Sequence, residues 1–257
     1  MLSLFWVEFV RSWKLFKRYP MDALAAVFML LFLFCGLFYG AEYLANGSQH
    51  FGDRIDSTVV LYINWILVIG VFSGLSGEMQ READTGTLEQ LFMARISMPN
   101  LIIIRAFASL GVNFLVTMLT LVIVVWVSDV NLSYPVLALV PLIASVLTGI
   151  GLGMMTASIT LLAKKAMGLI GVLQLLLIFI MVLPFDTWSE TAQIFGYLLP
   201  ITSSTAQLKA LMSDNVSTLS LPHLYSMLSG LLYLCLGYFL FSASVLRAKR
   251  SGSLSQH

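Results

Sequence analysis

Long apolar runs separated by short polar stretches make up most of the chain. A helix needs roughly 20 residues to cross a hydrocarbon core of about 30 Å, and windows of that length recur six times with almost no charge. Only helices satisfy their own backbone in lipid, where each unpaired polar group costs several kcal/mol. We therefore predict an all-α integral membrane protein with transmembrane helices at about 21–41, 57–77, 106–128, 135–162, 166–185 and 223–246.

Composition supports lipid as the main solvent of the chain. Of the 257 residues, 59% are hydrophobic and 11% are charged, and the mean hydropathy is +0.91. A soluble core of this size would show shorter apolar stretches interrupted by charged faces. The composition therefore excludes an ordinary soluble globular fold.

The basic residues divide unevenly between the two sides that six crossings would create. Twelve of the fourteen fall in alternate segments: Arg11, Lys14, Lys17, Arg18, Arg81, Arg95, Arg105, Lys164, Lys165, Arg247, Lys249 and Arg250. The other two are Arg54 and Lys209. Because Lys and Arg accumulate on the cytoplasmic side, we predict a multi-pass protein of a bacterial-type plasma (inner) membrane with both termini in the cytoplasm.

Two segments outside the spans carry their own apolar patterns. Residues 1–20 predict an interfacial amphipathic helix, which is consistent either with a passive anchor or with a contact to a cytoplasmic partner. Residues 186–222 hold too many polar residues to cross. They predict an outer re-entrant segment of two short helices that separate near Pro200 and shape an external gate.

The predicted cytoplasmic loop 78–100 contains a short helix that begins near Gly86, with Thr85 or Thr87 as its cap. Its apolar face would consist of Leu88, Leu91 and Phe92. Composition alone is consistent with a docking element for another protein and equally with a solvated loop.

The segment from Glu82 to Leu91, Glu-Ala-Asp-Thr-Gly-Thr-Leu-Glu-Gln-Leu, resembles the loop after the second span in permeases of the type 2 class of ABC exporters. The resemblance implies a coupling helix that sits in a groove of a separate ATP-hydrolysing subunit. Two permeases, by default two copies of this chain, would join two such subunits, and ATP and Mg would bind there. The residues to which the resemblance assigns coupling are Glu82, Gly86, Thr87, Leu88, Glu89, Gln90 and Leu91.

The sequence contains few residue patterns typical of nucleotide binding, metal binding or catalysis. The chain has no Gly-x-x-x-x-Gly-Lys-[Ser/Thr] loop, and its three histidines lack ligand spacing. We therefore predict no nucleotide site, no metal site and no catalytic residue in this chain, and no nucleic-acid partner. For the intramembrane Asn64, Asn113 and Gln174, interhelical hydrogen bonds are favoured over contact with a substrate.

Pairs of glycines four residues apart are typical of helix packing faces in membranes. Three such pairs predict faces of this kind: Gly149 with Gly153, Gly36 with Gly40, and Gly70 with Gly74.

The function that the resemblance implies is export through the membrane, by a subunit that is not itself an enzyme. An apolar lining with scattered hydroxyls favours an amphipathic or lipid-linked cargo or a drug. A membrane channel or scaffold and a membrane-embedded transferase remain the alternatives.

Overall fold

The computed structural model describes residues 2–44, 52–93, 96–128, 136–163, 167–182, 196–213 and 221–251. The regular structure in these residues is helical, with no strand, so the all-α class is confirmed. The helices are α1 (Leu2–Arg18), α2 (Pro20–Leu44), α3 (Gly52–Asp84), α4 (Leu88–Phe92), α5 (Met98–Ser128), α6 (Leu139–Ala163), α7 (Met167–Val182), α8 (Thr202–Ser213) and α9 (Leu221–Ser251). A 3₁₀ turn at Val136–Ala138 precedes α6.

The long helices alternate in direction between two ends of a bundle. At one end, Met79 of α3, Met98 of α5, Leu161 of α6 and Val245 of α9 share an apolar cluster. At the other end, Leu208 of α8 lies in a cluster with the beginnings of α3 and α6. We call these the loop end and the α8 end. Helices α3, α6 and α9 run towards the loop end and α5 runs away from it, as successive crossings require.

Helices α2 and α7 run in the same direction as α5. Helix α2 begins at Pro20 beside α1, and its Phe34 lies against Tyr62 of α3, with ring centroids 5.1 Å apart. Leu177 of α7 belongs to the same cluster as Phe34 and Tyr62, nearer the α8 end. Helix α7 begins at Met167, four residues after α6 ends at the loop end.

Four described helices are long and apolar enough to cross a membrane: Val59–Asp84, Met98–Ser128, Val136–Ala163 and His223–Arg250. A bent pair, Ser3–Arg18 with Pro20–Gly36, supplies a fifth if it is counted as one span, and Gly168–Ile180 is a shorter apolar helix. Residues 183–185, the predicted end of the fifth span, lie outside the described part. The membrane class is confirmed, and the number of six crossings stays a prediction.

Small residues form a seam between the parallel helices α6 and α9. A Cβ added to Gly230 would lie 2.7 Å from the carbonyl oxygen of Ala144, and one added to Gly237 would meet the backbone of Gly151. The hydroxyls of Ser158 and Ser244 are hydrogen-bonded to each other. These contacts repeat every seven residues along both helices, close to two full turns, so they lie on one face of each helix.

The opposite side of this part of α6 packs on α3, as the pair Gly149 and Gly153 predicts. Gly149 faces the backbone of Val68, and a Cβ on Gly153 would come within 2.9 Å of Leu75. Gly36 and Gly74 have no heavy atom of the described residues within 4 Å of an added Cβ, so packing at these two glycines is not seen within the described part of the chain and stays a prediction. The order of residues shows how the small residues are spaced, but which helix packs against them depends on the tertiary structure.

Helix α8 lies inside the bundle rather than on its surface. It contacts α3, α6 and α9, and Ser203, Gln207 and Leu208 are buried. A helical turn at 196–198 precedes it, and the break follows at Pro200 and Ile201, where the sequence places it. Ile201 is buried at a φ of +73°, a left-handed conformation that a β-branched residue rarely adopts.

Candidate functional site

The connection between α3 and α5 is shorter than the loop predicted at 78–100. Helix α3 continues to Asp84 and α5 begins at Met98, so the non-span chain is 85–97, with α4 inside it. The polar residues 78–84 favour a helical conformation as readily as the apolar residues before them. The change from apolar to polar sequence therefore indicates where α3 leaves the hydrocarbon core and not where the helix ends. Glu82 therefore lies in the last turn of α3.

Helix α3 ends in a Schellman motif centred on Gly86. The Gly86 amide donates to the carbonyl of Ala83 at 3.3 Å, and the Thr87 amide donates to the carbonyl of Glu82 at 3.1 Å. Gly86 has a φ of +69°, which is the left-handed conformation that this motif assigns to glycine. The chain thus reverses sharply between α3 and α4.

Thr87 precedes α4 at its N-cap. Its carbonyl accepts the amides of Gln90 and Leu91, whereas its hydroxyl donates to Glu82 of α3. The short helix therefore begins one to two residues after the predicted start near Gly86, and it is tied back to α3 by a side chain.

Helix α4 turns its apolar face into the protein. Leu88 is 9% exposed and belongs to the cluster at the loop end with Met79, Met98 and Val245. Leu91 and Phe92 pack against the same cluster, and the Lys249 ammonium of α9 lies 5.7 Å from the Phe92 ring centroid. This face is occupied within the chain, so it is not the surface open to a partner.

The outward surface of the connection consists of other residues. Thr85, Gly86, Gln90 and Met93 are exposed, and Met93 is 79% exposed although it is apolar. Of the residues to which the resemblance assigns coupling, Gly86 and Gln90 thus face outwards, and Leu88 and Leu91 face inwards. Glu89 belongs to α4, and its side chain lies outside the described part.

A cluster of charged side chains connects this turn to α1 and α5. The Arg105 guanidinium of α5 contacts two carboxylates: its Nε lies 3.2 Å from Glu8 Oε1, and its Nη1 lies 3.0 Å from Glu82 Oε1. Arg11 of α1 lies 3.1 Å from Glu8 and 3.8 Å from Glu82. Arg105, Glu8 and Glu82 expose only 10%, 12% and 15% of their side chains.

The sequence did not predict this cluster. On α1, Glu8 and Arg11 are three residues apart, a spacing that places both on the polar face of the predicted amphipathic helix. The structure turns them towards α5, and Phe9 lies close to Gly111, while Trp6 and Val7 are 63% exposed. A charge of each sign at a helical spacing was the available signal, but it could not identify Arg105 as the partner 97 residues away.

Two of the polar residues predicted inside the membrane meet at one face of α3. The side chain of Asn113 lies 3.3 Å from the position of a Cβ on Gly70. The Gln174 Nε2 donates to the Ser73 hydroxyl at 2.5 Å, so the predicted interhelical bond is present for Gln174. Gly70, Ser73, Gly74 and Gly77 follow one helical face, which lies between α5 and α7.

Asn64 lies on the other side of α3. Nine residues before Ser73 correspond to a rotation of about 180° around the helix. Its side chain is 1% exposed, and neither amide atom has a hydrogen-bond partner among the described residues. The interhelical bond predicted for Asn64 is therefore not formed within the described part of the chain.

Apolar helices that alternate between two ends, with an exposed turn and short helix at one end, define a multi-pass helical membrane protein. The family model described as ABC-2 type transporter matches residues 3–212, from α1 through nearly all of α8. The chain therefore belongs to the ABC-2 type transporter family and is a membrane transport component, a permease subunit. No curated protein matches it in sequence.

Proposed function

We propose that this permease exports an amphipathic or lipid-linked cargo, or a drug, from the cytoplasm by using ATP hydrolysed on a separate subunit. The proposal places ATP and Mg on that ATP-binding cassette subunit and assigns this chain no catalytic residue. The observation that supports it best is the two-sided structure of α4. On one side Gln90 is exposed, together with the flanking Gly86 and Met93, and the other side is packed into the bundle.

Through this packing, a displacement of α4 would be transmitted to several spans at once. Leu88 contacts the apolar cluster to which α3, α5, α6 and α9 contribute. Close-packed protein interiors have low compressibility and transmit strain. A subunit that binds the outward surface would therefore move the loop ends of these helices together when it closes on ATP.

A second copy of the chain is proposed to complete the transport path. The α3 face that carries Gly70, Ser73, Gly74 and Gly77 has open space beside Gly74. Small residues let helices approach closely in lipid, so this face suits a symmetric contact. Asn113 and Gln174 flank it, and they would place polar groups beside a path between the two copies.

The proposed setting is a bacterial-type inner membrane, with the loop end on the cytoplasmic side. The bias of basic residues supports this orientation, because the loop end holds Arg81, Arg105 and Lys249. An ATP-hydrolysing partner requires the same orientation, since ATP is available in the cytoplasm.

Co-purification with the candidate ATP-binding subunit, followed by ATPase assays in lipid nanodiscs, tests the function. The double variant Gln90→Arg with Met93→Asp changes the outward surface without touching the packed face. We expect loss of the complex and of permease-dependent ATPase activity. Arg250→Gln, an exposed change on α9, is the control and should leave both intact.

Leu88→Asp is unsuitable for this purpose, because Leu88 is buried and its loss would disturb the bundle itself. A complex that survives the double variant with full activity would contradict coupling through α4. Failure of any ATP-binding subunit to co-purify with the unmodified chain would favour the channel or scaffold alternative.

A further inference from the structure

We propose that Arg105 is a positioning residue that fastens α1 to the α3–α4 turn, so that the two move as one unit. The inference rests on the proposed function for its role in transport, but its structural content concerns this chain alone. It assigns α1 a part in transmission and so decides between the two roles that the sequence left open for it.

The first step is the geometry of the guanidinium. Two different nitrogens of Arg105 hold two carboxylates from two different helices, Glu8 of α1 and Glu82 of α3. A planar guanidinium presents its donors at fixed angles. The positions of Glu8 and Glu82 are therefore fixed relative to each other as well as to α5.

The second step extends the link into the turn. Glu82 uses Oε1 for Arg105 and Oε2 for the hydroxyl of Thr87. The Glu82 carbonyl also accepts the Thr87 amide within the Schellman motif. Thr87 is the N-cap of α4, so a continuous series of hydrogen bonds runs from α4 through Glu82 and Arg105 to α1.

The third step is the burial of the cluster. The charged side chains of Arg105, Glu8 and Glu82 have lost most of their contact with water. Separating one of them from its partners would leave the remaining buried charges without a counter-charge. Arg11 adds a second cation beside Glu8 and Glu82. Breaking the link is thus unfavourable for every member, which makes a joint displacement of α1 and the turn easier than their separation.

The fourth step connects α1 with the first long span. Helix α1 meets α2 at an angle of 81°, with Tyr19 between them and Pro20 opening α2. Proline at a helix start has a fixed φ and donates no hydrogen bond. A displacement of the turn that carries α1 with it would therefore change the angle between α1 and α2. The apolar cluster at the loop end, to which α4 contributes, contains no described residue of α2.

Hydrogen exchange of the full chain in lipid nanodiscs tests the link without any ATP-binding subunit. The variant Glu8→Gln lies on α1, and the measured amides are those of residues 85–92. We expect exchange there to become at least about tenfold faster, as loss of a charge-assisted contact predicts. Lys14→Gln on the same helix and Arg81→Gln beside Glu82 are exposed controls, expected to leave the rate unchanged.

Arg105→Lys provides a second variant, because it keeps the buried charge but replaces the two-armed donor by a single ammonium. It should also accelerate exchange in 85–92, whereas a need for positive charge alone would predict no change. Unchanged exchange in both Glu8→Gln and Arg105→Lys would overturn the proposal. The proposed function fails by a different result, the absence of a co-purifying ATP-binding subunit, so the two failures are distinguishable.

Discussion

Among single residues, Gly86 has the strictest backbone requirement in the connection between α3 and α5. Its φ of +69° places it in the left-handed region, and beyond its chain neighbours an added Cβ would meet no heavy atom of the described residues within 4 Å. Glycine is therefore required at this position by the backbone conformation and not by contact with a neighbouring residue. The sequence identifies this glycine as important through its motif, but only the backbone geometry supplies the reason.

Replacing Gly86 by alanine should lower the free energy of unfolding by about 1–2 kcal/mol, the cost of a left-handed alanine. Asparagine, which tolerates this conformation better, should recover part of the loss. Denaturant titration in mixed micelles measures the difference. Gly77→Ala, in the helical part of α3, is the control, and an equal loss in both alanine variants would contradict the prediction.

Asn64 shows the opposite situation, a buried amide whose hydrogen bonds the described residues do not satisfy. Removing an unsatisfied polar group that costs about 1–3 kcal/mol should not destabilise a protein. We expect Asn64→Leu to keep or raise the free energy of unfolding, and Gln174→Leu to lower it by about 0.6 kcal/mol, since Gln174 loses its bond to Ser73.

Denaturant titration of the two leucine variants, in the same micelles, checks the comparison. A clear loss of stability in Asn64→Leu would contradict the prediction. It would show that Asn64 has a partner in the membrane, such as a water molecule or part of the chain outside the described residues.

At the scale of the helices, the α6–α9 seam is the tightest interface for which the structure gives close backbone approaches. Its small residues recur every seven positions, so the two parallel helices stay in register over about four turns. The sequence shows glycines in both helices, but it does not show that α6 and α9, separated by α7 and α8 in the chain, are partners.

Gly230→Ala should destabilise this interface, because its Cβ would lie 2.7 Å from the backbone oxygen of Ala144. Backbone atoms cannot rotate away as a side chain does, so we expect a loss of about 1–3 kcal/mol, typical of overpacking. The measurement is the free energy of unfolding in mixed micelles. Gly171→Ala, where an added Cβ has open space, should change it by less than about 0.5 kcal/mol.

At the scale of the whole molecule, part of one face of α3 has no packed neighbour among the described residues, since an added Cβ on Gly74 meets no heavy atom there within 4 Å. One side of α3 is packed on α6, and the small residues 70, 73, 74 and 77 lie on the other. We propose that a second copy covers this face, because small residues allow helices to approach closely and no described residue fills the space beside Gly74.

Gly74→Leu should reduce dimer formation, since an added Cβ at Gly74 meets no heavy atom of the described residues within 4 Å, whereas a larger side chain obstructs a partner. Single-molecule photobleaching in lipid bilayers measures the dimer fraction, and circular dichroism confirms equal helix content. Cys235→Leu, at an exposed position of α9, is the control. An unchanged dimer fraction in Gly74→Leu would exclude this face as the contact.

The sequence by itself determined the helical membrane class, the approximate positions of the long helices, the break near Pro200 and the presence of a short helix that begins near Gly86. Hydrophobicity, proline and helix-capping residues act locally, and so they can be recognised from neighbouring residues. Tertiary structure decided which faces meet: Leu88 turned inwards, the α6–α9 register, and Glu8 joined to Glu82 through Arg105. In lipid, most surfaces of a helix are equally apolar, so close packing and buried charge select the partners, and both depend on residues far apart in the chain.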